Sequence, residues 1–244
     1  AYEHVGPSSP RYVMARSALA ASFQSTDKAQ ALKIVQETAA SHADDPDAQI
    51  ALAEMLRAND RNTEAAKVLD GLITAAGAHV DWRLYYLRGA ALERADRWPE
   101  AQADFAKALA LKPDDAELLN YVGYSYVSRN QKVKEGMAMI QKAVGLEPDN
   151  GAYIDSLGWS YYQLGEYKKA VEQLERAAEL MASDPEINDH LGDAYWRAGR
   201  RQEARFQWTA VLSLEPTPEQ KPKVEAKLAS PMGVDAVATS VARQ

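Results

Sequence analysis

The sequence contains no cysteine among its 244 residues. Disulfide bonds, zinc sites built from thiolates and cysteine nucleophiles are therefore excluded, although this absence does not fix the compartment. No run of apolar residues approaches the ~20 that a membrane-spanning helix needs. Glycine and proline are scarce, at 13 and 11 residues, while alanine is plentiful. That mixture favours helices over sheets.

The residue patterns typical of enzymes are also missing. There is no P-loop, zincin or nucleophile-elbow sequence, and the four histidines are spread along the chain. The nearest approach to a metal site is Asp189, His190 and Asp193. Asp189 and Asp193 share a helical face at i and i+4, but His190 points about 100° away from that face. We therefore expect a non-enzymatic protein with no metal and no cofactor.

The chain is acidic, with a net charge of −7 from 35 acidic and 28 basic residues. Nucleic acids bind surfaces rich in lysine and arginine, so this balance disfavours a nucleic-acid partner. We also expect no membrane insertion by the chain itself. It begins at Ala1 without a methionine, and we expect any targeting segment or lipid anchor to lie outside it.

The most informative feature is an internal repeat. The phrase IDSLGWSYYQLGEYKKA at 154–170 returns, much altered, as INDHLGDAYWRAGRRQEA at 187–204, and Leu157-Gly158 recurs 34 residues later as Leu191-Gly192. A period of roughly 20 to 50 residues is typical of a solenoid built from stacked supersecondary units. Weaker copies precede these two. The six predicted repeats cover 12–45, 46–81, 82–115, 116–150, 151–184 and 185–218.

Each repeat is predicted to form two helices. Asp184-Pro185, like Asp45-Pro46, combines an N-cap residue with a proline in the first helical turn. Repeat four carries one extra residue in its middle turn. Glycine in a helix costs roughly 1 kcal/mol, so its recurrence in the first helices predicts close packing between the two helices of a repeat. The four recurring glycines are Gly89, Gly123, Gly158 and Gly192.

The period and the pattern LG-x2-Y-x8-A-x3-[LFW]-x2-A-x4-P resemble the tetratricopeptide repeat family. The resemblance implies an all-α, right-handed superhelical solenoid of about six helix-turn-helix repeats. We expect 1–11 to be the end of a truncated preceding repeat, 219–230 to be a solvated capping helix and 231–244 to be a tail.

In this family the first helices line a concave groove that binds partners. Aromatic residues in repeats four to six would form its floor, and neighbouring amide and carboxylate groups would supply acceptors. Asp155 and Asp189 would place negative charge along one wall and attract lysine or arginine of a bound segment. The alternative is that the rings pack against neighbouring helices. The implied groove residues are Arg83, Tyr86, Arg94, Asn120, Tyr124, Asp155, Trp159, Tyr162, Asp189, Asp193, Trp196 and Arg197.

A closer resemblance covers the last three repeats, from LNYVGYSYVSRNQ onward. They look like the C-terminal half of large proteobacterial tetratricopeptide proteins, several of which are exported to the cell envelope. Some of these resemble lipoprotein adaptors of carboxyl-terminal processing proteases. The resemblance implies an envelope or periplasmic adaptor that binds protein segments, including such a protease or its substrates. Two alternatives stay open: a self-assembling homo-oligomer, and a solenoid that binds a glycan or small ligand.

Overall fold

The computed structural model describes residues 5–6, 9–231 and 234, and over these residues it is all-α, with thirteen helices and no strand. The predicted all-α repeat fold is thereby confirmed. The chain divides into two bodies, Ala1–Pro113 and Asp114–Gln244. Parts of the expected truncated repeat at 1–11, and most of the expected tail at 231–244, lie outside the described residues.

The N-terminal body contains six helices that pack in sequence order. The two helices within each of the repeats at 12–45, 46–81 and 82–115 pack on each other, and the second helices of the first two of these repeats also pack on the first helix of the next repeat. The helices are α1 Tyr12–Phe23, α2 Lys28–Ser41, α3 Pro46–Ala58, α4 Asn62–Ala76, α5 Trp82–Arg94 and α6 Trp98–Leu111.

The C-terminal body repeats this order and adds a final helix. Its helices are α7 Ala116–Ser128, α8 Val133–Leu146, α9 Gly151–Gln163, α10 Tyr167–Leu180, α11 Pro185–Arg197, α12 Arg201–Ser213 and α13 Gln220–Ala229. The first helices α7, α9 and α11 also contact one another in turn, so α9 lies between the other two. These three helices carry the candidate site.

The first helices of repeats two to six begin at a side-chain cap. Asp184 is typical: its carboxylate accepts hydrogen bonds from the backbone N–H groups of Glu186 at 2.8 Å and Ile187 at 3.1 Å. These bonds satisfy donors that have no partner inside the helix. In repeat four, Lys132 takes a left-handed conformation with φ of 47° just before α8, in the turn predicted to hold an extra residue. The equivalent caps are Asp45, Asp81, Asp115 and Asn150.

The recurring glycines lie where two helices meet, as predicted. A Cβ atom added at Gly158 would lie 2.6 Å from Cγ of Leu174, which is fully buried. At Gly123 the added atom would lie 2.6 Å from the carbonyl oxygen of Gly136 on α8. Real Cβ atoms do not approach other atoms so closely, so glycine is required for the helices to pack at this distance.

Candidate functional site

Nine of the twelve predicted groove residues lie on the first helices of the C-terminal body. Asn120 and Tyr124 are on α7; the others divide between α9 and α11. The remaining three are on α5 of the N-terminal body, where Arg83 and Arg94 are exposed and Tyr86 is half-buried. The guanidinium of Arg83 lies 5.1 Å from the ring centroid of the adjacent Trp82. These three residues belong to the N-terminal body, and the nine on α7, α9 and α11 belong to the C-terminal body.

Three rings form a continuous stack between α9 and α11. The Trp159 ring lies 4.5 Å from the Tyr162 ring, with 6° between their planes, and 4.2 Å from the His190 ring, with 17° between the planes. The structure therefore brings together two of the predicted floor residues. It adds His190, which sequence reasoning placed away from the groove. Trp159 and Tyr162 remain half-buried.

His190 is held by Asp155. Its Nδ1 atom lies 3.0 Å from each carboxylate oxygen of Asp155. Burial disfavours the charged imidazole, but the Asp155 carboxylate, with help from Glu186 and Asp189, outweighs it and raises the pKa of His190 to about 9. The pair is therefore a buried ion pair at neutral pH. Asp155 is only 7% exposed, so the expectation that it offers free negative charge to a partner was wrong.

Asp189 and Asp193 are also paired inside the chain. The Nζ atom of Lys227 on α13 lies 2.7 Å from Oδ1 of Asp189 and 2.6 Å from Oδ1 of Asp193. The indole Nε1 of Trp208 donates to the same Asp193 oxygen at 3.0 Å. Lys227 is only 6% exposed. The capping helix thus neutralises the charge that was expected from Asp189, and that helix is not simply solvated as predicted.

The ionisation of this cluster follows from its burial. Removal from water raises the pKa of Asp193 to about 6, with Asp189 adding to the effect and Lys227 opposing it. Burial opposes charge on Lys227, but Asp193 and Asp189 outweigh it and raise the lysine pKa above its usual value. The described residues contain no group of three or more side chains suited to hold a metal ion.

Trp196 belongs to the hydrophobic core and does not line the groove. It is 9% exposed, and its ring centroid lies 5.5 Å from that of Trp208. Both indoles share a buried cluster with Val224 of α13 and with Val234. The alternative interpretation, packing against neighbouring helices, therefore holds for Trp196. Arg197 is exposed, and its Nε donates to the Tyr162 hydroxyl at 3.4 Å.

An open cleft remains between α7, α9 and α11. The Tyr124 hydroxyl donates to Oε1 of Glu186 at 3.3 Å across it. Burial, followed by the negative charges of Glu186 and Asp155, raises the pKa of Tyr124, so this phenol stays neutral at physiological pH. The cleft has a volume of about 180 Å³ and is lined by Asn120, Tyr121, Tyr124, Ala152, Asp155, Ser156, Asp184, Glu186 and Ile187.

A second cavity of about 390 Å³ shares Asp184 and Glu186 with this cleft. It continues past His190 to Gln220 and Lys223 of α13. The Asp155–His190 pair therefore lies between the cleft and this second cavity. The signal for this pair was available in the sequence, because Asp155 and His190 are separated by one 34-residue repeat plus one residue. Such a separation places side chains on neighbouring first helices.

Family models match three parts of the chain: a tetratricopeptide repeat model at 12–79, another at 82–115 and a TPR repeat model at 158–199. The chain belongs to the tetratricopeptide repeat family. Proteins of this family are in general non-catalytic scaffolds, and the repeats support a general protein-interaction role for this tetratricopeptide repeat chain. No curated protein sequence matches it significantly.

Several solved structures share the fold. A chain of the APC/C hetero-tetramer Cut9–Hcn1 aligns with a TM-score of 0.74 and 16% identity, over 98% of this chain and 44% of that one. PilW, a widely conserved type IV pilus biogenesis factor, aligns with a TM-score of 0.67 and 20% identity, over 80% and 90% of the two chains. PilF of Pseudomonas aeruginosa aligns with a TM-score of 0.62 and 18% identity, over 79% of this chain and 87% of that one. At these identities the likeness shows the fold alone.

The tetratricopeptide repeat chain thus spans less than half the length of the Cut9–Hcn1 chain that it matches. Across the part of the chain that the structure describes, no helix is both long and apolar enough to cross a membrane. The more specific likeness to protease adaptors stays a prediction.

Proposed function

We propose that the chain is a non-enzymatic adaptor that binds an extended segment of a partner protein along α7, α9 and α11. The observation that carries this proposal is the cleft beside Tyr124. Most of the acidic and aromatic side chains predicted to bind a partner are paired or packed within the chain. The cleft, in contrast, keeps a half-buried ring and polar acceptors, with the exposed residues Ala152 and Glu186 at its rim. Aromatic anchors beside hydrogen-bonding groups are typical of binding hot spots.

An extended segment fits this geometry better than a helix. The cleft of about 180 Å³ has room for a single side chain, and the adjoining cavity of about 390 Å³ has room for a few more. An extended chain presents alternate side chains to the same surface, so it can place one in each space. A docked helix would instead need a continuous apolar groove.

We further propose that the adaptor works in the bacterial cell envelope and presents bound proteins to a processing protease or delivers the protease to them. The resemblance of the last three repeats to envelope adaptors supports this. The similar structures include a subunit of a hetero-tetramer and a pilus biogenesis factor, so this fold serves assembly roles in other proteins. Fold alone does not assign a partner, whereas crosslinking from the cleft captures it.

Photo-crosslinking tests the proposal directly. A p-benzoylphenylalanine in place of Ala152 puts a reactive group at the rim of the cleft, and the same residue in place of Glu172 puts it on the exposed face of α10. In an envelope extract of the source organism, we expect a discrete heterologous crosslink from position 152 and none from 172. Crosslinks only between copies of the chain would favour the self-assembly alternative. Equal products from both positions would refute a groove site.

A further inference from the structure

One wall of the cleft carries a polar atom without a partner. The Oδ1 atom of Asn120 on α7 is withdrawn from solvent and accepts no hydrogen bond. Buried acceptors are nearly always paired, because leaving one unpaired is unfavourable. Two other such atoms occur among the described residues, on Gln24 and Asn62, and both are in the N-terminal body. Asn120 is the one that lines the cleft.

The charged groups that line the same cleft are all carboxylates. Asp184 is engaged in capping α11, and Asp155 is neutralised by His190. Glu186 is exposed, and in the cleft its Oε1 atom accepts a long hydrogen bond of 3.3 Å from the Tyr124 hydroxyl. The cleft therefore offers an exposed carboxylate on one side and an unpaired acceptor on the other.

The neighbouring repeat shows how this surface binds a cation. There the Lys227 ammonium lies between two carboxylates of α11 and 5.7 Å from the ring centroid of Trp208. That site is filled by the chain's own α13. The cleft beside Tyr124 offers a comparable combination of carboxylate, acceptor and ring, one first helix earlier.

We propose that this cleft binds the guanidinium group of an arginine in the bound segment. Asn120 Oδ1 and the Glu186 carboxylate accept its N–H groups, and the ring of Tyr124 packs against its planar face. Arginine suits the site better than lysine because its planar group donates in several fixed directions at once and stacks on aromatic rings. The proposal rests on the adaptor function and names the side chain that the adaptor recognises.

The test titrates the intact chain with Nα-acetyl-arginine methylamide and follows backbone amide signals by NMR. The matched probe is Nα-acetyl-citrulline methylamide, which has the same shape without the charge. We expect saturable shifts around Asn120, Tyr124 and Glu186 with a Kd on the order of millimolar, as befits one side chain. The citrulline probe should bind roughly tenfold more weakly, since it loses a charge-assisted contact.

Two variants separate recognition from folding. Asn120→Ala removes the unpaired acceptor, so it should weaken arginine binding by roughly fivefold while leaving the thermal midpoint equal or raised by ~2 °C. Asn62→Ala is the control, because it removes an equally unpaired oxygen from the N-terminal body. It should have no effect on arginine binding.

Equal binding of the two probes, or unchanged binding by Asn120→Ala, would overturn the arginine site. Shifts that rise linearly at every acidic patch would overturn it as well, because they indicate unspecific cation binding. The adaptor function is tested separately. If a partner is crosslinked through position 152 but arginine does not bind, the adaptor function stands and the arginine site is refuted. If arginine binds but no partner is crosslinked, the arginine site stands and the adaptor function is refuted.

Discussion

Gly158 shows at the scale of one residue why the repeat keeps its signature. Gly158→Ala places a Cβ 2.6 Å from the buried Leu174 side chain, so we expect a loss of about 1–3 kcal/mol in the free energy of unfolding. Gly145→Ala on α8 is the control, because its Cβ meets nothing within 4 Å. It should stabilise the fold by ~0.5–1 kcal/mol. Chemical denaturation measures both, and equal effects would contradict the packing account.

The Asp155–His190 pair predicts how stability depends on pH. The pKa of His190 is about 9 in the folded chain and about 6.5 in an unfolded one. Because the folded value is the higher one, the pair contributes fully below pH ~6.5 and its contribution is lost as the pH rises through about 9. The charged groups near the ring include Asp155 on α9, Glu186, Asp189 and Asp193 on α11, and Glu219 and Lys223 in the adjoining cavity.

Denaturation at a series of pH values measures this contribution. We expect wild-type stability to fall by on the order of 1–3 kcal/mol between pH 6.5 and 9.5. The variant Asp155→Asn with His190→Gln replaces the ion pair by a neutral pair and should show a much flatter profile over that range. Parallel profiles for the two proteins would show that His190 is not charged in the folded chain at neutral pH.

At the scale of the helix, the buried Lys227 is one of the contacts that hold α13 to α11. Lys227→Met leaves Asp189 and Asp193 buried without their cation, so we expect a destabilisation of about 3–5 kcal/mol. Lys223→Met changes an exposed lysine one turn earlier and should shift stability by less than about 0.5 kcal/mol. Hydrogen exchange should locate the loss of protection in α11 and α13. A variant Lys227→Met as stable as Lys223→Met would mean that the ion pairs do not secure the cap.

The helices themselves could be predicted from the sequence, because a periodic pattern and its caps are local. Even the added residue before α8 was visible, and the structure places the left-handed Lys132 in that turn. The pairing of acidic groups could not be predicted in the same way. Lys227 lies outside the repeats, so no repeat position pointed to it, and Asp155 finds its partner 35 residues away. The family's pattern predicts which residues of the first helices share the groove face. It does not predict which of them form ion pairs or hydrogen bonds within the chain.

At the scale of the whole molecule, the family and the fold could be recognised from the 34-residue period together with the residue pattern that recurs in it. The partner could not, because it depends on the few side chains of the first helices that the chain leaves unsatisfied. In the C-terminal body, only some of the nine predicted groove residues stay accessible to a partner. They include Asn120, Tyr124 and the stacked rings of Trp159 and Tyr162. The adaptor role and the envelope location remain proposals that rest on this set and on the resemblance.

The central claim is that the first-helix cleft of the C-terminal body binds the partner. Titration calorimetry with the protein captured through position 152 tests it most directly, with Tyr124→Ala as the variant. Tyr85→Ala, which removes another half-buried ring from α5 of the N-terminal body, is the control. We expect Tyr124→Ala to weaken binding at least roughly tenfold, as loss of an aromatic anchor does, with circular dichroism unchanged. Wild-type affinity in Tyr124→Ala, or an equal loss in Tyr85→Ala, would contradict the account.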